Sequence, residues 1–131
     1  MITLLYAGLC TILVVFLAVR VARWRLKHRI GIGDGGDAQL LMRVRAHANS
    51  VENLPLALLL LGGMELNGYP MPMIHAFGAT LLVSRLGHAW GLSHSSGSSR
   101  GRVLGSAFTW LLMLVMAAFA IAGYFRQFMV A

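Results

Sequence analysis

Residues 2–19 and 103–125 contain no charged side chain, and each run is long enough to decide which solvent this chain folds in. At about 1.5 Å of rise per helical residue they extend about 27 Å and about 34 Å, against a hydrocarbon layer roughly 30 Å thick. Both are expected to be membrane-crossing helices. Composition agrees: of 131 residues, 58% are hydrophobic, and four acidic with eleven Lys and Arg side chains are too few to cover a soluble domain of this size. The same apolar fraction excludes disorder, and a single cysteine, Cys10, excludes a disulfide framework.

A net charge of +7 raises the question of nucleic acid, and the placement of the charge answers it. Arg20, Arg23, Arg25, Lys27 and Arg29 follow the first apolar run, Arg100 and Arg102 precede the last, and Arg126 follows it. That is the distribution of the positive-inside rule. The first cluster can meet anionic lipid headgroups, whereas Trp24 alone is too little aromatic surface for base stacking. No nucleic acid partner is expected. A secretory signal would carry its basic residues before the apolar run; here they come after, so residues 2–19 are expected to remain as an anchor.

The apolar runs at residues 53–64 and 71–84 are too short to cross unaided and need polar extensions. Extending the first backward takes in Arg45, His47, Asn49 and Glu52; extending the second forward takes in Arg85 and His88. The expected fold is all-α: an integral membrane four-helix bundle forming one four-span domain over residues 1–131, with helices at about 2–27, 38–65, 71–92 and 102–126. Residues 65–70, with Gly68 and Pro70, make a short turn, and residues 93–101 a Ser/Gly loop. With basic loops in the cytoplasm, both termini are expected to face the periplasm. Gly31-Ile-Gly-Asp-Gly-Gly matches a dinucleotide fingerprint in composition only, lacking a preceding strand, and reads instead as a turn with Asp37 placed to cap the next helix.

On a helix, Arg45, Asn49 and Glu52 fall at roughly 0°, 40° and 340°, one narrow stripe. A charge at hydrocarbon depth costs about 2.5–3.5 kcal/mol on insertion scales, so such a stripe should face protein. Arg85 and His88, three apart, share a side of the third helix at a similar depth. Two readings follow. In one, Arg45, Glu52 and Arg85 pair across the bundle and only brace it, in a protein without catalysis. In the other, they line an interhelical pocket for a small polar anion, with arginines for carboxylates, Glu52 for an ammonium and Asn49 for an amide. Pro55, just past Glu52, frees the Val51 carbonyl if the helix continues through it. A transporter or channel would need a water path, for which one polar stripe per helix is thin support.

Arg43-x-Arg45-Ala-His47-x-Asn49-x-x-Glu52-x-x-Pro55 resembles the second-helix signature of the MAPEG family, membrane-associated proteins in eicosanoid and glutathione metabolism. Arg85-Leu-Gly-His88, Arg100-Gly-Arg102 and Thr109-Trp110 are similar to bacterial members, so the resemblance covers nearly the whole chain. It implies a homotrimer in a bacterial inner membrane, with glutathione as cosubstrate between subunits and a small hydrophobic electrophile or lipid peroxide as its partner in transferase or peroxidase chemistry. Carried over residue by residue, it implies that Arg45, Asn49, Glu52, Arg85 and His88 bind glutathione and that Arg102 is catalytic, facing the sulfur. A thiol of pKa about 8.5 is roughly 3% ionised at pH 7, and lowering it two units beside a cation makes it about three-quarters thiolate. Ala48 stands where some members have another arginine, and Leu92 and Ser106 stand where eicosanoid-processing members have tyrosines, which argues against an eicosanoid synthase. His28, His75 and His94 lack ligand partners at metal spacing, and no metal is expected.

Overall fold

The computed structural model describes the backbone of residues 1–94 and 100–129 and the side chains of residues 1–91 and 103–126. Four helices follow one another: α1 (Ile2–His28), α2 (Ala38–Leu66), α3 (Met71–His94) and α4 (Arg100–Met129). Helices α2 and α3 pack against each other in the centre. Among the described residues, α1 leans on one side of this pair and α4 on the other, without touching each other. The core they enclose runs through Leu54, Ala57, Leu61 and Met64 of α2, Ile74 and Leu81 of α3, and Leu112 and Met116 of α4, with Tyr6 and Cys10 from α1.

Burial in this core uses only one face of the outer helices. Leu4, Ile12, Val15 and Phe16 of α1 and Phe108, Leu111, Leu114 and Ile121 of α4 are all exposed. An apolar surface of that extent is stable only against lipid or protein. Ile2–His28 and Val103–Arg126 are both long and apolar enough to cross a membrane.

The connections explain why the helices begin and end where they do. Arg29 closes α1 in the left-handed conformation, φ 54° and ψ 38°. The glycines that follow form a turn after a helix, with positive φ at Gly33, Gly35 and Gly36, and no strand precedes them. Asp37 then caps α2, its Oδ1 accepting from the backbone N–H of Gln39 at 2.8 Å and of Leu40 at 3.1 Å. Its other oxygen accepts from Trp24 Nε1 at 2.7 Å, and the Arg43 guanidinium lies 3.8 Å from the centre of the Trp24 ring, so the basic end of α1 is fastened to the start of α2. At the opposite end, Glu65 of α2 accepts from the free N–H groups of Ile2 and Thr3 and so caps α1 in turn. Tyr69 donates to the Phe119 carbonyl at 2.7 Å, tying the α2–α3 turn to α4. Helix α2 runs through Pro55 without interruption.

The Asp37 fastening carries a pH signature. The hydrogen bond from Trp24, then those from Leu40 and Gln39, hold its carboxyl below the ordinary value of 3.8. Because the folded value is depressed, the stabilisation is complete above the unfolded value and is lost as pH falls through the folded one. Tryptophan emission in detergent is therefore expected to stay constant from neutral pH to about pH 4 and to change below it. Asp37→Asn should remove that change.

Candidate functional site

The polar residues of α2 do not stay together as one stripe. Arg45 Nη1 and Glu52 Oε1 lie 3.9 Å apart, with side chains 56% and 54% exposed, on a face of α2 that the other helices leave uncovered. Asn49, between them in sequence but at the edge of the stripe in angle, turns inward instead. Its Oδ1 accepts from Arg85 Nη1 at 2.7 Å. The second terminal nitrogen of Arg85 donates to the Gly105 carbonyl at 2.8 Å, so one guanidinium joins α3 to both α2 and α4.

Arg85 is 1% exposed, and no carboxylate pairs with it among the described residues. Its Nε has no hydrogen-bond partner among them either. Of the two readings the sequence left open, the bracing set in which Arg45, Glu52 and Arg85 pair across the bundle is not what forms among the described residues. Arg45 and Glu52, two turns apart, reach each other along their own helix. Arg85 approaches from the Asn49 side of the stripe and meets the amide first.

Close packing of α3 on α4 makes the Arg85 contact possible. A Cβ on Gly105 would lie 2.7 Å from the Ser84 carbonyl oxygen, 2.8 Å from His88 Cβ and 2.9 Å from His88 N. Only hydrogen fits there. One residue on, Ser106 Oγ lies 3.0 Å from Nδ1 of His88, which is 3% exposed. The network continues outward: Asn53 Nδ2 donates to the Asn49 carbonyl at 2.8 Å, and Trp110 Nε1 donates to Asn53 Oδ1 at 3.1 Å. An apolar crevice of about 190 Å³ between α1 and α2 passes Cys10, Val51, Leu54 and Pro55, so the neighbour of Glu52 in the chain borders an apolar recess.

Of the residues singled out from sequence, Asn49 and Arg85 are brought into contact, His88 packs one turn further along α3, and Arg45 with Glu52 stays at the surface of the chain. Arg102, assigned the catalytic role, lies outside the described side chains, as do Arg100, Leu92 and His94. Sequence reasoning missed Gly105 and Asn53. Asn53 had a signal, since it follows Asn49 by one helical turn. A family model described as the MAPEG family matches residues 3–122.

The chain belongs to the MAPEG family.

Relatives include the "Inner membrane protein YecN" of Escherichia coli strain K12 and the protein of the same name from Escherichia coli O6:H1 strain CFT073. Each is 38% identical over 116 residues, covering 88% of this chain and 87% of the relative. As a MAPEG protein the chain is a helical membrane protein, which accounts for the exposed apolar faces of α1 and α4. Membership also locates the Arg45, Asn49 and Glu52 constellation within the matched region rather than at its margin.

Proposed function

We propose that this protein is a glutathione-binding protein of a bacterial inner membrane, transferring glutathione to hydrophobic electrophiles or reducing lipid peroxides with it. The observation that carries the reading is an ion pair on an uncovered helix face, beside an asparagine whose orientation is set from behind by a buried arginine. Two half-exposed charges on a membrane-embedded helix must meet something polar. A second copy of the chain with a small zwitterion between the two meets that need. Four crossings with periplasmic termini, in a homotrimer, are the arrangement proposed. The relatives, named as inner membrane proteins, support the location.

In this assignment Arg45 receives a glutathione carboxylate, which its guanidinium can hold through two hydrogen bonds. Glu52 receives the ammonium. Asn49, with its carbonyl oxygen occupied by Arg85, is left with its NH2 hydrogens to donate to the ligand. His88 and Ser106 flank the same level of α3 and α4, and Arg102, four residues before Ser106, is the cation assigned to stabilise the thiolate. The thiolate sulfur forms a bond to the electrophilic carbon as the leaving group departs with its electron pair. Proximity and a cation at the developing charge supply the catalysis. The crevice beside Val51 offers room for the apolar part of the acceptor.

A non-catalytic bracing role is the second reading, and Arg85, bound to two other helices, favours it. Glu52 separates the two. Among the described residues its ion pair is with Arg45 on its own helix. Under the glutathione reading, Glu52→Gln keeps its oligomeric state in analytical ultracentrifugation and raises the glutathione Kd by at least about tenfold, the value of roughly one lost charge-assisted hydrogen bond. Loss of the oligomer, with no glutathione effect, would favour bracing.

A further inference from the structure

The basic end of α1 holds a recess that the glutathione reading does not use. It has a volume of about 570 Å³ and is lined by Ala22, Arg25, Leu26, Arg29, Ile30 and Gly31. Ala22, Arg25 and Leu26, three and four apart, share one helix face, and Arg29 caps the helix just beyond it. Val15 and Ala18 continue that face toward the bilayer, and Val15 is exposed. Two arginines therefore stand at the head of an apolar track.

Three further features bear on what the recess receives. Leu26, between the arginines, is 80% exposed, which suits a residue lying against a lipid chain. Arg29 occupies the left-handed position where glycine is the unstrained choice, and carries a backbone cost there. Its neighbour Arg25 is only loosely engaged, donating to the Gly31 carbonyl at 3.4 Å. As for depth, Arg25 lies about 9 Å beyond Val19, the last residue of the uncharged run, and helical side chains tilt back toward the N-terminus, which carries its guanidinium back toward headgroup level.

We propose that this recess is a binding site for an anionic phospholipid, with the phosphodiester between Arg25 and Arg29 and an acyl chain along Leu26, Ala22 and Val15. The charge complementarity and the apolar track select an amphiphile over a free phosphate ester. The track also distinguishes this site from the general attraction of a basic cluster for an anionic membrane, to which Arg23 and Lys27 contribute without lining the recess.

The test titrates the full-length protein in uncharged detergent with short-chain phosphatidylglycerol, phosphatidylcholine and glycerol phosphate, counting bound ligand by native mass spectrometry. Phosphatidylglycerol is expected to bind at least about tenfold more tightly than phosphatidylcholine, with about a fivefold loss for either Arg25→Gln or Arg29→Gly and less than about a twofold loss for Arg23→Gln. Arg29→Gly serves also as the folding control. Glycine relieves the left-handed strain, so that variant should melt at a higher temperature than the parent while losing the lipid preference. Equal affinity for the two lipids, a loss from Arg23→Gln matching the other two, or glycerol phosphate binding as tightly as the lipid would each overturn the proposal.

Discussion

Gly105→Ala is expected to destabilise the bundle by about 1–3 kcal/mol, and Gly105→Val by more, measured as thermal unfolding in detergent. The atoms that a Cβ would strike belong to the backbone of Ser84 and His88 and to His88 Cβ, none of which can swing aside. Relief requires α4 to move away from α3. That movement withdraws the Gly105 carbonyl from Arg85 and Ser106 from His88, so the same substitution should also weaken glutathione binding. Gly8→Ala is the matched control. Nothing lies within 4 Å of its would-be Cβ, and at a helical position alanine is favoured over glycine by about 1 kcal/mol. A Gly105→Ala protein as stable as the Gly8→Ala protein would mean that α3 and α4 are not held at this separation.

Arg85→Met is expected to separate binding from stability in the opposite direction. A buried guanidinium without an anionic partner carries an insertion cost of about 2.5–3.5 kcal/mol. Against it stand two hydrogen bonds from a charged donor, each contributing about 1.5–3 kcal/mol. The two sides nearly cancel. The Gly105 carbonyl also keeps its bond from Thr109 Oγ1 at 2.8 Å, so it is not orphaned when Arg85 is removed. Thermal stability should therefore change by no more than about 2 kcal/mol. Glutathione affinity should fall at least about tenfold, because Asn49 is no longer held in its donating orientation. Asn49→Ala should cost a similar amount, and the double variant little more than either alone, since both remove the same contact. Additive losses would show that Arg85 acts on the ligand by another route.

The architecture was readable because its strongest signals are long and one-dimensional. Uncharged runs at residues 2–19 and 103–125 need no partner to declare themselves helices, and the Asp37 cap is a local motif whose hydrogen bonds close within three residues. The centre of the site was harder. Periodicity put Arg45, Asn49 and Glu52 on one side of α2, expected to face protein, but an angular spread of roughly 60° is wide enough to straddle the edge of a packed helix, and Arg45 and Glu52 fall on the uncovered side. Which member turned inward depended on where Arg85 arrived from. Arg85 meets the Gly105 carbonyl only because Gly105 lets α4 close on α3, and a glycine in an apolar run announces neither its neighbour nor its distance. Asn53 and Trp110, joined by a single hydrogen bond between α2 and α4, belong to the same class: their pairing is a fact of helix packing.

The ion pair invites comparison with the bracing expectation for the same reason. Sequence alone places two cations and one anion at similar depth, and leaves open whether they pair across helices or line a pocket. In the structure the pair closes along α2 and leaves both charges at the surface of the chain, which shifts the weight of the site toward whatever covers that surface.

Isothermal titration of glutathione into the purified, detergent-solubilised protein tests the central claim most directly. The account predicts saturable binding at or below millimolar glutathione, much weakened in Glu52→Gln. Heat that never saturates, or an isotherm that Glu52→Gln leaves unchanged, would contradict it.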